Sequence, residues 1–318
     1  MFWDRFPIIK EEMVDFEEYL YTNLTSKQSL IQEAILDLAK AGGKRIRPAL
    51  IMASAHFGDY DQDRVWNVAG AMEILHMATL IHDDIIDEAR LRRGAKTTQA
   101  QYGKDTAVFT GDYLFSLTFN LLSGKATQKQ LQKVADVIKQ ICEGEIQQHQ
   151  DRYKLAISYK DYLKRIKSKT ALLFESSCYL GADLANLSKL NIRRLGKYGR
   201  YLGMAFQLTD DLLDFKEEIT TLGKPDTNDF TQGIYTLPIL YVILETGYDD
   251  QLKKLIKEPV KNSKAIKEIV NKAGGLEYTL SIANDYIKKA KKEVSKLPVN
   301  QYQNLLNQLA DEVIERNF

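Results

Sequence analysis

The sequence is poor in the features that mark several large classes of protein. It holds only two cysteines, Cys142 and Cys178, and neither has the Cys-x-x-Cys or Cys/His spacing of a metal site, so neither a disulfide framework nor a zinc site is expected. Both lie in helical patterns and are predicted to be buried, unreactive thiols. Six prolines in 318 residues leave long stretches free to be helical, and strand-type alternation is scarce. These absences predict an all-α chain, and without a visible linker residues 1–318 are expected to form a single domain.

The chain also lacks an excess of either charge and any long apolar run. It has 44 Lys and Arg against 43 Asp and Glu, a formal net charge of +1, which argues against a nucleic-acid partner. No apolar run approaches the roughly 18 residues of a membrane span, and the N-terminus lacks the basic and apolar regions of a secretory signal. We therefore expect a cytoplasmic protein, although an apolar substrate could bring it to membrane surfaces for product release.

Two acidic clusters interrupt apolar helical patterns, and they are the strongest signal in the chain. The first is Asp83, Asp84 and Asp87, and the second is Asp210, Asp211 and Asp214. Carboxylates at i and i+4 of a helix share a face and repel each other, and Asp is a poor residue for a helix interior. A conflict that recurs in two predicted helices, about residues 64–88 and 191–217, indicates function. Because Mg²⁺ binds a few carboxylates together with phosphate oxygens, we predict a magnesium site.

Basic residues accompany these clusters in a way typical of anion binding. Lys44, Arg45 and Arg47 follow a glycine turn at the start of a predicted helix, and Arg90, Arg92 and Arg93 follow the first acidic cluster. Helix N-termini and guanidinium groups both bind phosphate. A solvated basic turn is the ordinary alternative for the first group, and a packing role is the ordinary alternative for the helical His76. Ordinary core packing is also favoured for most aromatic residues of the helix predicted over 106–122, which are Phe109, Tyr113, Phe115 and Phe119.

These motifs occur together, and in this order, in a known family. The stretches concerned are residues 43–48, 91–94, 169–170, 223–225 and 233–238, in addition to the two Asp-Asp-x-x-Asp motifs. Through them the chain resembles the trans-isoprenyl diphosphate synthases over nearly its whole length. The resemblance implies an all-α isoprenoid synthase helical bundle around a central cavity, usually dimeric.

The resemblance also assigns roles to individual residues. The metal ligands would be Asp83, Asp84, Asp87 and Asp210, with Asp211 and Asp214 as further candidates. The allylic diphosphate would be held by the cations Arg92, Lys169 and Lys224 and by the neutral side chains Thr170 and Gln207. Isopentenyl diphosphate would be held by Lys44, Arg47, His76 and Arg93. The residues expected to act most directly in catalysis are Asp83, Asp84, Asp87, Lys169, Asp210 and Lys224.

The chemistry of such an enzyme explains why these residue types are needed. Ionising an allylic C–O bond places negative charge on the departing diphosphate, which Mg²⁺ and fixed cations stabilise. The allylic cation that remains must be shielded from water by a closed apolar pocket. The alkene of isopentenyl diphosphate then attacks, and a proton is lost. In the family the released diphosphate is thought to take that proton, which agrees with the lack of an obvious protein base here.

Product length in the family depends on the side chains one and two turns before the first acidic cluster. Here these are Ala71, Ile74, Leu75, Ala78 and Thr79. Short-chain family members resemble a version with bulky aromatics at the last two positions. Small residues there, and no insertion within the motif, predict a product of geranylgeranyl length or longer.

Finer details point to a subfamily. Gly144, Glu145, Ile166 and Cys178 look similar to the catalytic large subunits of bacterial hexaprenyl and heptaprenyl diphosphate synthases. Those subunits work with a small subunit that lacks the acidic motifs. The resemblance therefore implies a menaquinone side-chain enzyme that extends farnesyl diphosphate and forms a dimer, either with such a partner or with itself. A homodimeric geranylgeranyl diphosphate synthase is the alternative.

Two departures and two rival functions remain at this stage. Ile234 stands where the family often has Lys before Thr-Leu-Pro, and Thr227 stands where Gly is usual; either could lower the activity of this chain alone. Terpene cyclases share metal-triggered ionisation, but they usually lack a second full acidic motif and need no site for a second diphosphate. A non-catalytic helical subunit would not need the complete acidic and basic sets.

Overall fold

The computed structural model describes residues 2–92, 94–216 and 228–315, and this part of the chain is almost entirely helical. The helices are α1 (Pro7–Asn23), α2 (Ser29–Lys40), α3 (Ile46–Ala55), α4 (Gln62–Ile86), α5 (Thr98–Tyr102), α6 (Lys104–Leu122), α7 (Gln128–Asp151), α8 (Tyr159–Ile166), α9 (Leu172–Leu184), α10 (Lys189–Lys216), α11 (Leu237–Glu245), α12 (Asp249–Leu255), α13 (Ser263–Lys272), α14 (Gly275–Val294) and α15 (Gln301–Ile314). Strands β1 (Leu91–Arg92) and β2 (Ala95–Lys96) form a short antiparallel hairpin. The all-α prediction is confirmed.

Local sequence signals account for several helix starts. Pro7 occupies the first turn of α1, where its missing N–H costs nothing. The Asp61 carboxylate accepts from the backbone N–H of Arg64 and caps α4, and the Ser158 hydroxyl accepts from Asp161 and caps α8. These caps fix the beginnings of the helices that carry candidate site residues.

The helical stretch from Tyr159 to Leu184 is interrupted. A π-helical turn, Lys167–Ala171, separates α8 from α9 and is called the π turn below. One extra residue in such a turn changes which side chains share a face, and π turns are frequent at functional sites.

The chain folds into two compact units. The first comprises Met1–Lys133, Ser177–Arg193 and Pro298–Leu305. Within it, α4 packs along α6 and also contacts α3 and α1. The middle of α4 is buried on every side, because a helix surrounded by others needs apolar residues all round.

The second unit comprises Val134–Ser176, Arg194–Leu297 and Leu306–Phe318. Its apolar core joins α8, α10, α11, α13 and α14. Helix α10 lies close against the π turn at Gly203, where a Cβ atom would lie 2.6 Å from the Cα of Ala171. Glycine is therefore required at this crossing.

Three sequence predictions about burial are wrong. Cys178 is buried as expected, but Cys142 is exposed. Val137, Ile141 and Gly144 form the buried face of α7, and Cys142 lies on the exposed face of the same helix. Phe109 and Phe119 are 64% and 42% exposed. They lie outside the buried face of α6. That face consists of Ala107, Thr110, Gly111, Leu114, Thr118 and Leu122.

None of the described helices combines the length and apolar character needed to cross a membrane.

Candidate active site

The first acidic cluster lies where α4 ends. Asp87 caps the helix, and its backbone N–H donates to the carbonyl of Asp83 at 2.9 Å. The two residues are therefore one turn apart, as the spacing predicted. Asp83 and Asp87 are half-buried, whereas Asp84 is buried. The cluster thus presents two partly exposed carboxylates beside a buried one.

Arg92 is the counter-ion of the buried carboxylate. Its Nε and Nη2 atoms both lie 2.8 Å from Oδ1 of Asp84. Burial raises the pKa of Asp84, and the Arg92 guanidinium only partly offsets this. Arg92 follows Asp84 by eight residues in the sequence, and it lies in β1 of the β1–β2 hairpin. The acidic cluster and the first proposed diphosphate-binding arginine therefore form one assembly.

Sequence reasoning missed Gln99, which ties the turn after the first cluster. Its amide donates to the backbone carbonyls of Asp84 and, at 3.0 Å, of Ala89. The Thr97 hydroxyl also donates to the Ala89 carbonyl at 2.6 Å. These bonds fix the chain just after α4, where the Asp84 carbonyl also accepts from the Ala89 backbone N–H at 2.9 Å. No motif spacing announces them, because they depend on how α5 packs.

The second acidic cluster lies near the end of α10 and is more deeply held. Asp210 is half-buried, but Asp211 is only 2% exposed. Asp211 accepts a hydrogen bond from the Tyr162 hydroxyl, and from the Gln207 amide at 2.9 Å. The pKa of Asp211 is raised to about 7, mainly by burial and to a smaller extent by the negative charge of Asp229. Of the neighbours Asp210 and Asp211, Asp210 is therefore the carboxylate that is more exposed to a ligand.

Asp214 is held by a segment that the sequence analysis did not single out. The Asn228 amide donates to the Asp214 backbone carbonyl and, at 3.2 Å, to its carboxylate, and the Asp229 N–H donates to the same carboxylate at 3.1 Å. Burial and the nearby charge of Asp229 raise the pKa of Asp214 to about 7. Asp229 is thus a further carboxylate of this cluster. Its one sequence signal is the pair Asn228-Asp229, which follows Gly223 and Pro225 in the sequence.

The π turn presents two of the proposed allylic contacts in succession. The Lys169 ammonium pairs with Glu145 of α7 at 3.2 Å. The Thr170 hydroxyl donates to the Gln207 amide oxygen at 2.5 Å. Gly144 allows the turn to approach α7, because a Cβ there would lie 2.5 Å from the Ser168 hydroxyl oxygen. The structure therefore brings Thr170, Gln207 and Asp211 into one hydrogen-bonded chain.

The residues proposed for isopentenyl diphosphate lie in the first unit. Lys44 is exposed, with its ammonium 5.0 Å from the centre of the Phe2 ring, while Arg47 and His76 are half-buried. The intervening Arg45 has φ 47° and points inward. Its guanidinium binds Glu17 at 2.9 Å and Glu73 at 3.1 Å. Arg45 is therefore structural, unlike the basic residues on either side of it.

The proposed chain-length residues lie along α4. Ala71, Ile74, Leu75 and Ala78 have no exposed surface, and Thr79 is half-buried with its hydroxyl donating to the His76 carbonyl at 2.8 Å. Ile234, the first departure from the family pattern, is buried at 7% exposure. Its apolar side chain fits that position. Three further predicted residues, Arg93, Lys224 and Thr227, lie outside the described part of the chain.

The carboxylates fit a hard, phosphate-associated cation better than a closed metal cage. Within residues 2–92, 94–216 and 228–315, no group of three His, Cys, Asp or Glu side chains is arranged to hold a metal ion by itself. Mg²⁺ commonly uses one or two carboxylates and takes its remaining ligands from water and substrate phosphates. The half-buried Asp83, Asp87 and Asp210 suit that role.

Comparisons with known proteins agree on one family. The family model described as polyprenyl synthetase matches residues 28–273. Component 2 of the heptaprenyl diphosphate synthase of Geobacillus stearothermophilus is 37% identical over an alignment of 318 positions that covers 98% of each chain. The crystal structure of a geranylgeranyl pyrophosphate synthase from Lactobacillus brevis has a TM-score of 0.92 at 32% identity and covers 99% of both chains. That of a Staphylococcus aureus heptaprenyl diphosphate synthase has a TM-score of 0.91 at 33% identity, covering 98% of this chain and 99% of the other.

Proposed function

This chain belongs to the polyprenyl synthetase family and is a trans-prenyltransferase, and from this premise we propose its substrates, cofactor, product and partner. It condenses isopentenyl diphosphate with an allylic diphosphate, farnesyl diphosphate being favoured, in a Mg²⁺-dependent reaction. The product is a hexaprenyl or heptaprenyl diphosphate for a quinone side chain. The relatives named as heptaprenyl diphosphate synthases support this length.

One observation carries the assignment of the allylic site. Asp84 lies buried against Arg92 between two partly exposed carboxylates. Cations bound by Asp83 and Asp87 would thus lie next to a guanidinium that is already fixed. Both kinds of positive charge suit a diphosphate whose charge increases as it departs.

The chain's own residues then have distinct tasks. Asp83, Asp84, Asp87 and Asp210 would hold Mg²⁺, with support from the buried Asp211 and the half-buried Asp214. The bound metal supplies Lewis-acid stabilisation to the leaving diphosphate. Arg92, Lys169 and Lys224 would bind the same diphosphate as cations, and Thr170 and Gln207 would orient it. Lys44, Arg47, His76 and Arg93 would hold isopentenyl diphosphate, so that its alkene meets the allylic carbon while apolar side chains exclude water.

We propose that the active form is a dimer, with a small non-catalytic subunit or with a second copy. We place the partner contact at the exposed aromatic side chains Phe109 and Phe119 of α6, because an interface there would remove their apolar surface from water. The relative from G. stearothermophilus is named as one component of its synthase. The long apolar product also favours transient contact with a membrane surface at release.

The test is incorporation of radiolabelled isopentenyl diphosphate by the purified protein. With farnesyl diphosphate and Mg²⁺, label should enter a butanol-extractable product, and chelation of the metal or Asp83→Ala should abolish this. Chromatography after dephosphorylation gives the chain length, with and without a candidate small subunit. Consumption of farnesyl diphosphate without isopentenyl diphosphate would indicate a cyclase, and no labelled product under any condition would contradict the proposal.

A geranylgeranyl diphosphate synthase is the second candidate. It is supported by the similarity to the L. brevis synthase over nearly the full length of both chains. The same chromatography separates the two, because a geranylgeranyl synthase stops after one condensation on farnesyl diphosphate.

A further inference from the structure

We propose that Tyr162 is a positioning residue that orients the allylic-diphosphate contacts Gln207 and Thr170 through the buried carboxylate of Asp211. This inference rests on the proposed function, because it concerns the same substrate site. Tyr162 itself touches neither substrate nor metal in this scheme.

Four side chains form an unbroken relay in the second unit. The Tyr162 hydroxyl of α8 donates to Oδ2 of Asp211. The Gln207 amide nitrogen donates to Oδ1 of the same carboxylate at 2.9 Å, and the Gln207 amide oxygen accepts from the Thr170 hydroxyl at 2.5 Å. The relay therefore runs from a buried tyrosine, across α10, to the π turn.

When Asp211 is ionised, the chemistry of the groups fixes the direction of every bond. Each Asp211 oxygen faces one group that can donate, the Tyr162 hydroxyl or the Gln207 amide nitrogen. With its nitrogen turned to Asp211, the Gln207 amide must turn its oxygen to Thr170. An amide oxygen only accepts, so the Thr170 hydrogen lies between the two residues. The orientation of the Thr170 hydroxyl is thus set by Tyr162, acting through Asp211 and Gln207.

The far end of the relay is rigid. Tyr162 has no exposed surface, and the Arg165 guanidinium lies 5.5 Å from the centre of its ring. Arg165 is itself fixed by a 2.7 Å bond to the Tyr235 carbonyl. Because Tyr162 cannot swing, Asp211 has one preferred orientation. Without this anchor, the half-buried Gln207 would be free to choose other rotamers and would bind the diphosphate less well.

Tyr162→Phe removes only the hydroxyl and tests the relay. We expect kcat/KM for farnesyl diphosphate to fall about tenfold, the usual scale for losing one hydrogen bond to a charged group. KM for isopentenyl diphosphate should change less than twofold. Calorimetry with farnesyl diphosphate and Mg²⁺, without isopentenyl diphosphate, should show weaker binding. Wild-type values in both experiments would overturn the proposal.

Tyr198→Phe is the matched control. Tyr198 is equally buried, and its hydroxyl donates to the Leu306 carbonyl at 2.7 Å, outside the relay. Both variants should lose similar thermal stability, but only Tyr162→Phe should lose affinity for farnesyl diphosphate. An equal loss of affinity in the two would show a merely structural effect and would contradict the positioning role.

A double mutant separates action through Gln207 from direct action. In a Gln207→Ala background, Tyr162→Phe should change farnesyl diphosphate binding less than twofold, because the relay is already broken. A full additive effect would overturn the inference. If the wild type binds farnesyl diphosphate but never joins isopentenyl diphosphate to it, the proposed function fails, while the binding comparison still decides the role of Tyr162.

Discussion

At the scale of single residues, product length should depend on Ala78 and Thr79. With geranyl diphosphate as the primer, Ala78→Phe is expected to shorten the product to about farnesyl length, because an aromatic ring would occupy the space that the growing chain needs. Ala78 is fully buried, so the new ring should also lower stability by roughly 1–3 kcal/mol through overpacking. Thr79 is half-buried, and Thr79→Phe should shorten the product at a smaller cost in stability.

Chromatography of dephosphorylated products, together with thermal melting of each variant, checks this expectation. Thr79→Ser is the matched control, because it keeps the hydroxyl and leaves the position small; its product should match that of the wild type. Unchanged product length in both phenylalanine variants, provided that they remain folded, would remove α4 as the determinant of length.

Glu12 should make the stability of the protein sensitive to acid. Its carboxylate accepts from His56 Nε2 at 3.1 Å, from the Tyr60 hydroxyl and from Trp66 Nε1 at 3.4 Å. Burial alone would raise the pKa of Glu12, but the hydrogen bonds from His56 and Tyr60 outweigh it and hold the pKa below its ordinary value. A lowered pKa in the folded state means that this stabilisation is present above the ordinary glutamate pKa and is lost as pH falls through the lower, folded value.

Urea unfolding of wild type and Glu12→Gln measures this contribution. At neutral pH the variant should be less stable by about 1–2 kcal/mol, since a hydrogen-bonded charge is replaced by a neutral acceptor. Below about pH 4.5 the difference should shrink, because the carboxylate is protonated first in the unfolded chain and then, at lower pH, in the folded protein. Glu18→Gln, at an exposed position of the same helix, should show little change at either pH. A difference that grows on acidification would contradict the assignment.

Individual residues were predictable from sequence where their role follows from local spacing. The i and i+4 carboxylates needed only the helical repeat, and the one-turn separation of Asp83 and Asp87 confirms that step. Arg45 and Tyr162 were not predictable in this way. Their partners, Glu17 and Asp211, lie 28 and 49 positions away in sequence, so only the tertiary fold reveals them.

At the scale of elements, the crossing of α10 and the π turn should tolerate no side chain at Gly203. A helical Gly→Ala change normally gains about 1 kcal/mol from helix propensity. Here the new Cβ would lie 2.6 Å from the Ala171 Cα and 3.1 Å from the Phe174 Cβ. Overpacking against backbone costs roughly 1–3 kcal/mol or more, so the clash should win and Gly203→Ala should destabilise the protein.

The same variant should also lower kcat/KM for the allylic substrate, because displacing Ala171 moves Lys169 and Thr170 with it. Denaturant unfolding and steady-state kinetics measure the two effects. Gly247→Ala is the control, since a Cβ there meets nothing within 4 Å, and it should leave both quantities nearly unchanged. A more stable Gly203→Ala protein would show that the crossing has room.

The elements themselves were predictable to different degrees. Apolar periodicity indicates α7, and apolar periodicity followed by the pair Gly42-Gly43 indicates α2, because those signals act within a few turns. The π turn left no such signal. It inserts its extra residue where Gly144 and Gly203 let two helices come close, and that requirement exists only in the packed structure.

At the scale of the whole molecule, the fold class was predictable and the proposed association surface was not. Scarce proline and scarce alternation suffice to indicate helices, whereas Phe109 and Phe119 are exposed on a helix whose buried positions include the small or polar residues Ala107, Thr110 and Gly111. An exposed phenylalanine and a buried one look alike in sequence until the packing of α4 on α6 decides which stripe is inside. The exposure of Phe109 and Phe119 is therefore known from the structure and could not be predicted from the sequence.

That outer face leads to the last prediction. Replacing Phe109 and Phe119 together by Ser should weaken association, since each ring that is buried in an interface contributes about 1.5–3 kcal/mol. Sedimentation of the wild type alone, and with a candidate small subunit, should show a dimer in one case or both, and the double variant should shift to monomer. Because neither residue belongs to the proposed site, metal-dependent binding of farnesyl diphosphate by the variant should persist.

Leu190→Ser is the matched control for this experiment, because Leu190 is a 56% exposed apolar residue of the same unit that lies on α10 rather than α6. It should leave the sedimentation profile as in the wild type. If the phenylalanine variant still forms the wild-type dimer, the α6 face is not the association surface. If it becomes monomeric and also stops making polyprenyl product while still binding farnesyl diphosphate, then elongation, rather than substrate binding, is what the partner supplies.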